Sequence, residues 1–128
     1  MTAVVGHGID LIECERIAGV LRRHGRRFLG RVLTEKERAL ADRHRDPVPF
    51  VAGRWAAKEA LLKMVGTGWR GRIAWTDMEI LPDAMGAPKV TLRGATAEAA
   101  RRRGIERVLL SITHTRMLAA ASAVGLAE

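Results

Sequence analysis

The patterning of this 128-residue chain predicts an α+β fold, a small single domain in which a mostly antiparallel sheet packs against a long central helix. Three observations carry that prediction. Segments near both ends, Val4–Ile12, Val108–Thr113 and Met117–Gly125, read as strands, the first with the period of two that marks a pleated chain. The middle, Phe50–Val65, is rich in Ala and Leu, lacks internal proline and reads as one helix. The strand pairs are joined by short turns, which connect antiparallel neighbours.

Within Val4–Ile12, Val5, His7, Ile9 and Leu11 share one face, and Gly6, Gly8 and Asp10 share the other. Two glycines beside an acid admit another backbone or a ligand. Asp is disfavoured inside strands, so Asp10 calls for a reason, either a helix cap or a functional role. Glu13–His24 reads as a helix with an apolar stripe of Ile17, Val20 and Leu21, ended by Gly25. Phe28, Leu29, Val32 and Leu33 are core candidates. Thr34-Glu35-Lys36-Glu37 has capping-box form and opens a helix from Glu35 to about His44. Arg45–Pro49, with two prolines, reads as a loop. After the central helix comes a glycine-rich loop, Gly66–Gly71. Ile73–Leu81 alternates as a strand, Pro82–Pro88 is a turn and Lys89–Leu92 is the return strand. Ala95–Arg103 is a short helix stopped by Gly104. The last two strands are joined at His114-Thr115-Arg116.

A net charge of +8 favours polyanionic partners: nucleic acid, an anionic membrane, a phosphate-rich ligand or an acidic protein. With aromatic content at 4% and no tyrosine, base-stacking platforms are scarce. The single cysteine, Cys14, excludes an internal disulfide and has no zinc-ligand spacing around it. No signal peptide is legible, and the longest apolar run, Met117–Ala127, is too short to span a bilayer. A cytoplasmic location is expected.

On the central helix, Ala52, Ala56, Glu59 and Lys63 fall on one face. Glu59 and Lys63 suit an ordinary surface ion pair worth about 0.3–0.5 kcal/mol. That is the reading spacing alone favours; the alternative is an acceptor and a cation presented to a ligand, for which the two alanines leave room. Gly66-Thr67-Gly68-Trp69-Arg70-Gly71 has the letters of a dinucleotide fingerprint, but a helix precedes it and a strand follows, which excludes that fold. Backbone N–H groups of such a loop still suit phosphate oxygens. Arg16, Arg23 and Arg27, with Arg22, Arg26 and Arg31, form a nearly acid-free basic run, either a solvated face or a dock for an acidic partner. Ser111, Thr113, His114 and Thr115 cluster hydrogen-bonding groups at a strand end. If Asp10 and Glu59 converge, a hard cation such as Mg²⁺ relieves their repulsion. Metal-assisted phosphoryl transfer is then the expected class of chemistry.

These pieces together resemble the bacterial holo-acyl-carrier-protein synthases, small phosphopantetheinyl transferases. The resemblance rests on Gly8-Ile9-Asp10-Leu11-Ile12-Glu13, Arg27-Phe28-Leu29, Arg31-Val32-Leu33-Thr34 and Ala52-Gly53-Arg54-Trp55-Ala56-Ala57-Lys58-Glu59-Ala60. Lys63, Gly66-Thr67-Gly68, Asp77-Met78-Glu79-Ile80, Gly86-Ala87-Pro88 and Ser111-Ile112-Thr113-His114-Thr115 complete it, in the family's order. It implies the phosphopantetheinyl transferase fold and transfer of 4′-phosphopantetheine from coenzyme A to a serine of apo acyl carrier protein, with release of adenosine 3′,5′-bisphosphate. It implies catalytic roles for Asp10, Glu59 and Lys63, and Mg²⁺ (or Mn²⁺) held by Asp10 and Glu59. Arg54, Lys63, Gly66, Gly68, Pro88, His114 and Thr115 would contact coenzyme A. Arg16, Arg22, Arg23 and Arg26 would receive the acidic carrier protein, in a homotrimer with sites at subunit boundaries. Departures are Met85 and Ala87, where the family often has Asn and Lys, and the tryptophans Trp69 and Trp75. A non-catalytic coenzyme A binder and a basic nucleic-acid module are the alternatives. Neither a specific nucleic-acid target nor a membrane span is expected.

Overall fold

The computed structural model describes residues 1–66 and 73–128. In chain order the elements are β1 (Ala3–Glu13), α1 (Cys14–Val32), α2 (Glu35–Ala41), α3 (Val48–Val65), a 3₁₀ turn (Trp75–Asp77), β2 (Met78–Pro82), β3 (Pro88–Leu92), α4 (Gly94–Arg102), β4 (Arg107–His114) and β5 (Leu118–Ala127). Two antiparallel sheets result: three strands in the order β1-β5-β4, and the β2–β3 hairpin. The α+β expectation, with a long helix against an antiparallel sheet, holds.

Small residues let α3 lie close on the larger sheet. A Cβ at Gly8 would stand 1.9 Å from the Ala60 carbonyl oxygen, and one at Gly6 would stand 2.5 Å from that of Met64. Ala119, Ala121 and Ala123 of β5 are buried, as are Ala52, Ala56 and Ala60 of α3. The two glycines therefore admit another backbone, one of the two options the sequence left open. Ala52 and Ala56 are 0% exposed, so they fill the helix–sheet contact and leave no clearance for a ligand. The apolar parity of β1 faces outward instead: Ile9 is 60% and Leu11 63% exposed.

Four boundaries differ from the sequence reading. Helix α1 does not end at Gly25; that residue (φ 47°) kinks it, and the helix resumes to Val32. Helix α2 stops at Ala41, short of His44. Helix α3 begins at Val48, inside the expected loop. Pro49 fits its first turn, where the missing N–H costs no intrahelical bond. Ile73–Leu81 is not one strand. The Asp77 carboxylate accepts from the Ala74 N–H (3.2 Å) and the Asp77 N–H donates to the Ala74 carbonyl (3.0 Å), winding 75–77 into a 3₁₀ turn before β2 starts.

Candidate active site

Because the glycines press β1 onto α3, the next residue on that face, Asp10, comes beside the last turns of the helix. Lys63 Nζ donates to the Ile9 carbonyl (2.9 Å) and lies 3.2 Å from Asp10 Oδ1. The Asp10 side chain is 17% exposed and that of Lys63 54%. A pair so open to solvent adds at most about 1 kcal/mol to stability. Glu59, partly buried, precedes Lys63 by one helical turn. Asp10 and Lys63 thus meet beside the C-terminal half of α3, with Glu59 one turn earlier on the helix.

Gly66 caps α3 in the left-handed conformation (φ 82°), its N–H donating to the Leu62 carbonyl. The Arg103 guanidinium lies over it, with Nη1 only 2.4 Å from where a Cβ would be. The left-handed backbone angle is what favours glycine there, since the end of the Arg103 side chain is free to move aside. Gly68 and Trp69 lie outside the described residues.

Arg54 sits nine residues before Lys63, half a rotation around α3 and about 14 Å along it. Its Nε donates to the Ile80 carbonyl (3.2 Å) and its guanidinium stacks 4.4 Å from the Phe50 ring centroid. Burial pushes its pKa down, and the Glu37 carboxylate opposes that shift. His114, exposed at the end of β4, pairs across β5: His114 opposes Ala119, which opposes Ile12. Ile112, two residues earlier on β4, reaches within 3.2 Å of a Cβ at Gly53. The end of β4 therefore approaches the N-terminal half of α3. The Thr115 hydroxyl accepts from the N–H groups of Met117 (3.2 Å) and Leu118 (3.0 Å), closing the β4–β5 turn. Within this chain, then, Arg54 and the strand end lie toward one end of α3, and Asp10 and Lys63 toward the other. Pro88 is separate again. It lines a cleft of about 570 Å³ between β3, α4 and β4, with Lys89, Val90, Arg101, Arg107 and Val108.

On α1, Arg16, Arg22 and Arg23 are exposed before the Gly25 kink and Arg26 after it. Arg22 stands 3.5 Å from Glu15, both largely in solvent.

Sequence reasoning missed one feature, a fully buried ion pair. Lys58 and Glu37 are both 0% exposed and 2.7 Å apart. The Lys58 Nζ also donates to the carbonyls of Val32 (2.6 Å) and Trp75 (3.2 Å). Glu37 Oε1 accepts from the Thr34 N–H, as the capping box required, and Oε2 from the Ile80 N–H, both at 2.9 Å. Burial pushes the Lys58 ammonium pKa down and the Glu37 carboxylate holds it up. With three acceptors around Nζ, the ammonium form is the one that fits. The signal was available: Lys58 lies in the stripe of Val51, Leu62 and Val65, where a cation requires a buried partner.

Residues 6–119 match the family model of the 4′-phosphopantetheinyl transferase superfamily. A holo-[acyl-carrier-protein] synthase of Solibacter usitatus is 39% identical over 94% of this chain and 97% of the relative. Among solved structures, the holo-[acyl-carrier-protein] synthase of Neisseria meningitidis superposes with a TM-score of 0.87 at 34% identity, covering 96% of this chain and 98% of that one. That of Bacillus anthracis, in complex with CoA (3′,5′-ADP), gives 0.81 at 36% identity over 98% of both chains.

Proposed function

The chain belongs to the 4′-phosphopantetheinyl transferase superfamily, and from that membership we propose that it is a holo-[acyl-carrier-protein] synthase acting as a single domain. It moves 4′-phosphopantetheine from coenzyme A to a serine of apo acyl carrier protein and releases adenosine 3′,5′-bisphosphate. The observation that carries the reading is the meeting of Asp10 with Lys63, one helical turn from Glu59, inside the region that matches the family.

Lys63 is placed to neutralise the coenzyme A diphosphate, where charge grows as the serine hydroxyl attacks phosphorus. Glu59 is the candidate acceptor for the hydroxyl proton. Asp10 and Glu59 offer oxygen donors only, which suit a hard cation. Among the described residues, no group of three or more His, Cys, Asp or Glu gathers to hold a metal. Two carboxylates fit Mg²⁺, or Mn²⁺ in its place, because Mg²⁺ keeps its other positions for water and phosphate. When bound, the cation supplies Lewis-acid neutralisation of the phosphate oxygens.

The separation of Arg54, His114 and Thr115 from Asp10 supports a site completed by a second copy. The open sheet face, with Ile9, Leu11 and Leu109 (49% exposed), is the apolar surface available for such contact. A homotrimer with sites at its boundaries uses both features, and the coenzyme A contacts of Gly66, Gly68 and Pro88 belong to the same proposal. The basic face of α1, with Arg16, Arg22, Arg23 and Arg26, suits an acidic carrier protein. No helix among the described residues is long and apolar enough to cross a membrane, and a cytoplasmic setting is proposed.

The reading is tested by following adenosine 3′,5′-bisphosphate released from coenzyme A in the presence of apo carrier protein and Mg²⁺. Asp10→Asn and Glu59→Gln, each checked to be folded, are expected to lose most of the release. Wild-type rates from either variant would remove its carboxylate from the mechanism.

A further inference from the structure

The buried Glu37–Lys58 pair lies outside the ligand-facing groups and is fully connected. All three Nζ protons of Lys58 have acceptors, on the last turn of α1, on α2 and on the 3₁₀ turn. Both Glu37 oxygens accept from backbone, one at the start of α2 and one on β2. Five elements therefore meet at one ion pair. Among the described residues, no buried side-chain nitrogen or oxygen lacks a partner.

A buried pair of this kind is weak evidence for stability, because desolvation offsets much of its attraction. Its distinctive effect is geometric. Besides its close seat on the sheet, α3 must be fixed against roll about its own axis. Lys58 in a three-acceptor socket prevents that roll. Glu59 is the next residue, so the socket sets the direction in which Glu59 projects, about 100° further round α3. Ile80 extends the effect: its N–H bonds Glu37 Oε2, and its carbonyl accepts from Arg54 Nε. One socket thus aims Glu59 toward the Asp10 side and anchors Arg54 on the opposite face.

We propose that Lys58 and Glu37 are positioning residues of the transfer reaction, setting the rotation of α3 that aligns Glu59 and Arg54. The proposal rests on the transferase reading above.

The test compares the full-length wild type with Glu37→Asp, Lys58→Met and, as a control, Leu126→Ala, a truncation of a buried β5 side chain away from the pair. Glu37→Asp keeps the charge pair but withdraws the carboxylate by one methylene, about 1 Å. A displacement of that size costs on the order of a hundredfold in rate. Thermal melts, coenzyme A binding by calorimetry, and kcat and KM per folded molecule are measured on all four. The expected result is a kcat reduced by about thirtyfold or more in Glu37→Asp and Lys58→Met, with the coenzyme A KM raised as Arg54 loosens. Leu126→Ala keeps kcat within about threefold despite a lower melting temperature. If Lys58→Met does not fold, Glu37→Asp decides alone, and if that also fails to fold the pair is structural and the proposal is wrong. A folded Glu37→Asp with kcat matching the control overturns it. Absence of transfer by the wild type would instead overturn the transferase reading itself.

Discussion

Replacing Gly8 by Ala probes how the sheet delivers Asp10 to α3. The added Cβ would stand 1.9 Å from the Ala60 carbonyl oxygen, 2.7 Å from the Met64 nitrogen and 2.9 Å from the Ala60 carbonyl carbon. All three are backbone atoms of a buried helix and have no rotamer to retreat into. A carbon–oxygen contact relaxes to about 3.3 Å, so β1 and α3 must separate by roughly 1.4 Å. Asp10 is two residues along the same face and moves with β1. Its 3.2 Å contact with Lys63 opens, and so does its reach toward Glu59. Overpacking costs about 1–3 kcal/mol, and a shift beyond 1 Å at a reacting group costs on the order of a hundredfold in rate. The assay pairs urea unfolding with the initial rate of phosphopantetheine transfer at saturating coenzyme A. A variant with wild-type stability and wild-type rate would refute the claim that Gly8 sets the distance between Asp10 and the helix.

Three further outcomes follow from the same geometry. Arg16→Glu should weaken carrier-protein binding roughly tenfold while leaving coenzyme A binding unchanged; equal losses of both, measured by calorimetry, would count against a dock on α1. Leu11→Arg places a charge on the open sheet face and should lower the mass seen by analytical ultracentrifugation from that of the proposed trimer toward that of a monomer; a trimeric mass in both proteins would place the contact elsewhere. Glu79, 5% exposed, is held below the usual carboxylate pKa, first by the Thr34 hydroxyl at 2.6 Å and then by Arg93, against desolvation. Its folded value lies below its unfolded value, so its stabilisation is present above the unfolded pKa near 4.3 and is lost as pH falls through the folded one. Glu79→Gln should therefore cost about 1–2 kcal/mol in urea melts at pH 7 and less at pH 3; an equal cost at both pH values would show that its charge is not involved.

Much of this architecture was legible because period and punctuation agree with the fold. The alternation of β1, the capping box at Thr34 and the Ala-rich α3 each specify their element locally. Local signals failed where a tertiary partner decides. Ala52 and Ala56 share a helical face with Glu59 and Lys63, yet sequence cannot say which part of that face the sheet covers. Asp77 sits in an alternating run, but its carboxylate winds the chain into a turn. Lys58 was hidden by its neighbour Glu59, which offered an exposed role for the same charged motif. The approach of Asp10 to Lys63, 53 residues apart, depends on two glycines that admit a backbone, and the sequence left helix and ligand equally open as the visitor.

The intact mass of apo acyl carrier protein, before and after incubation with this chain, coenzyme A and Mg²⁺, tests the central claim most directly. A gain equal to one phosphopantetheine group on the carrier serine is expected, abolished by Asp10→Asn. Coenzyme A binding with no change in carrier mass would contradict it and leave a non-catalytic binder.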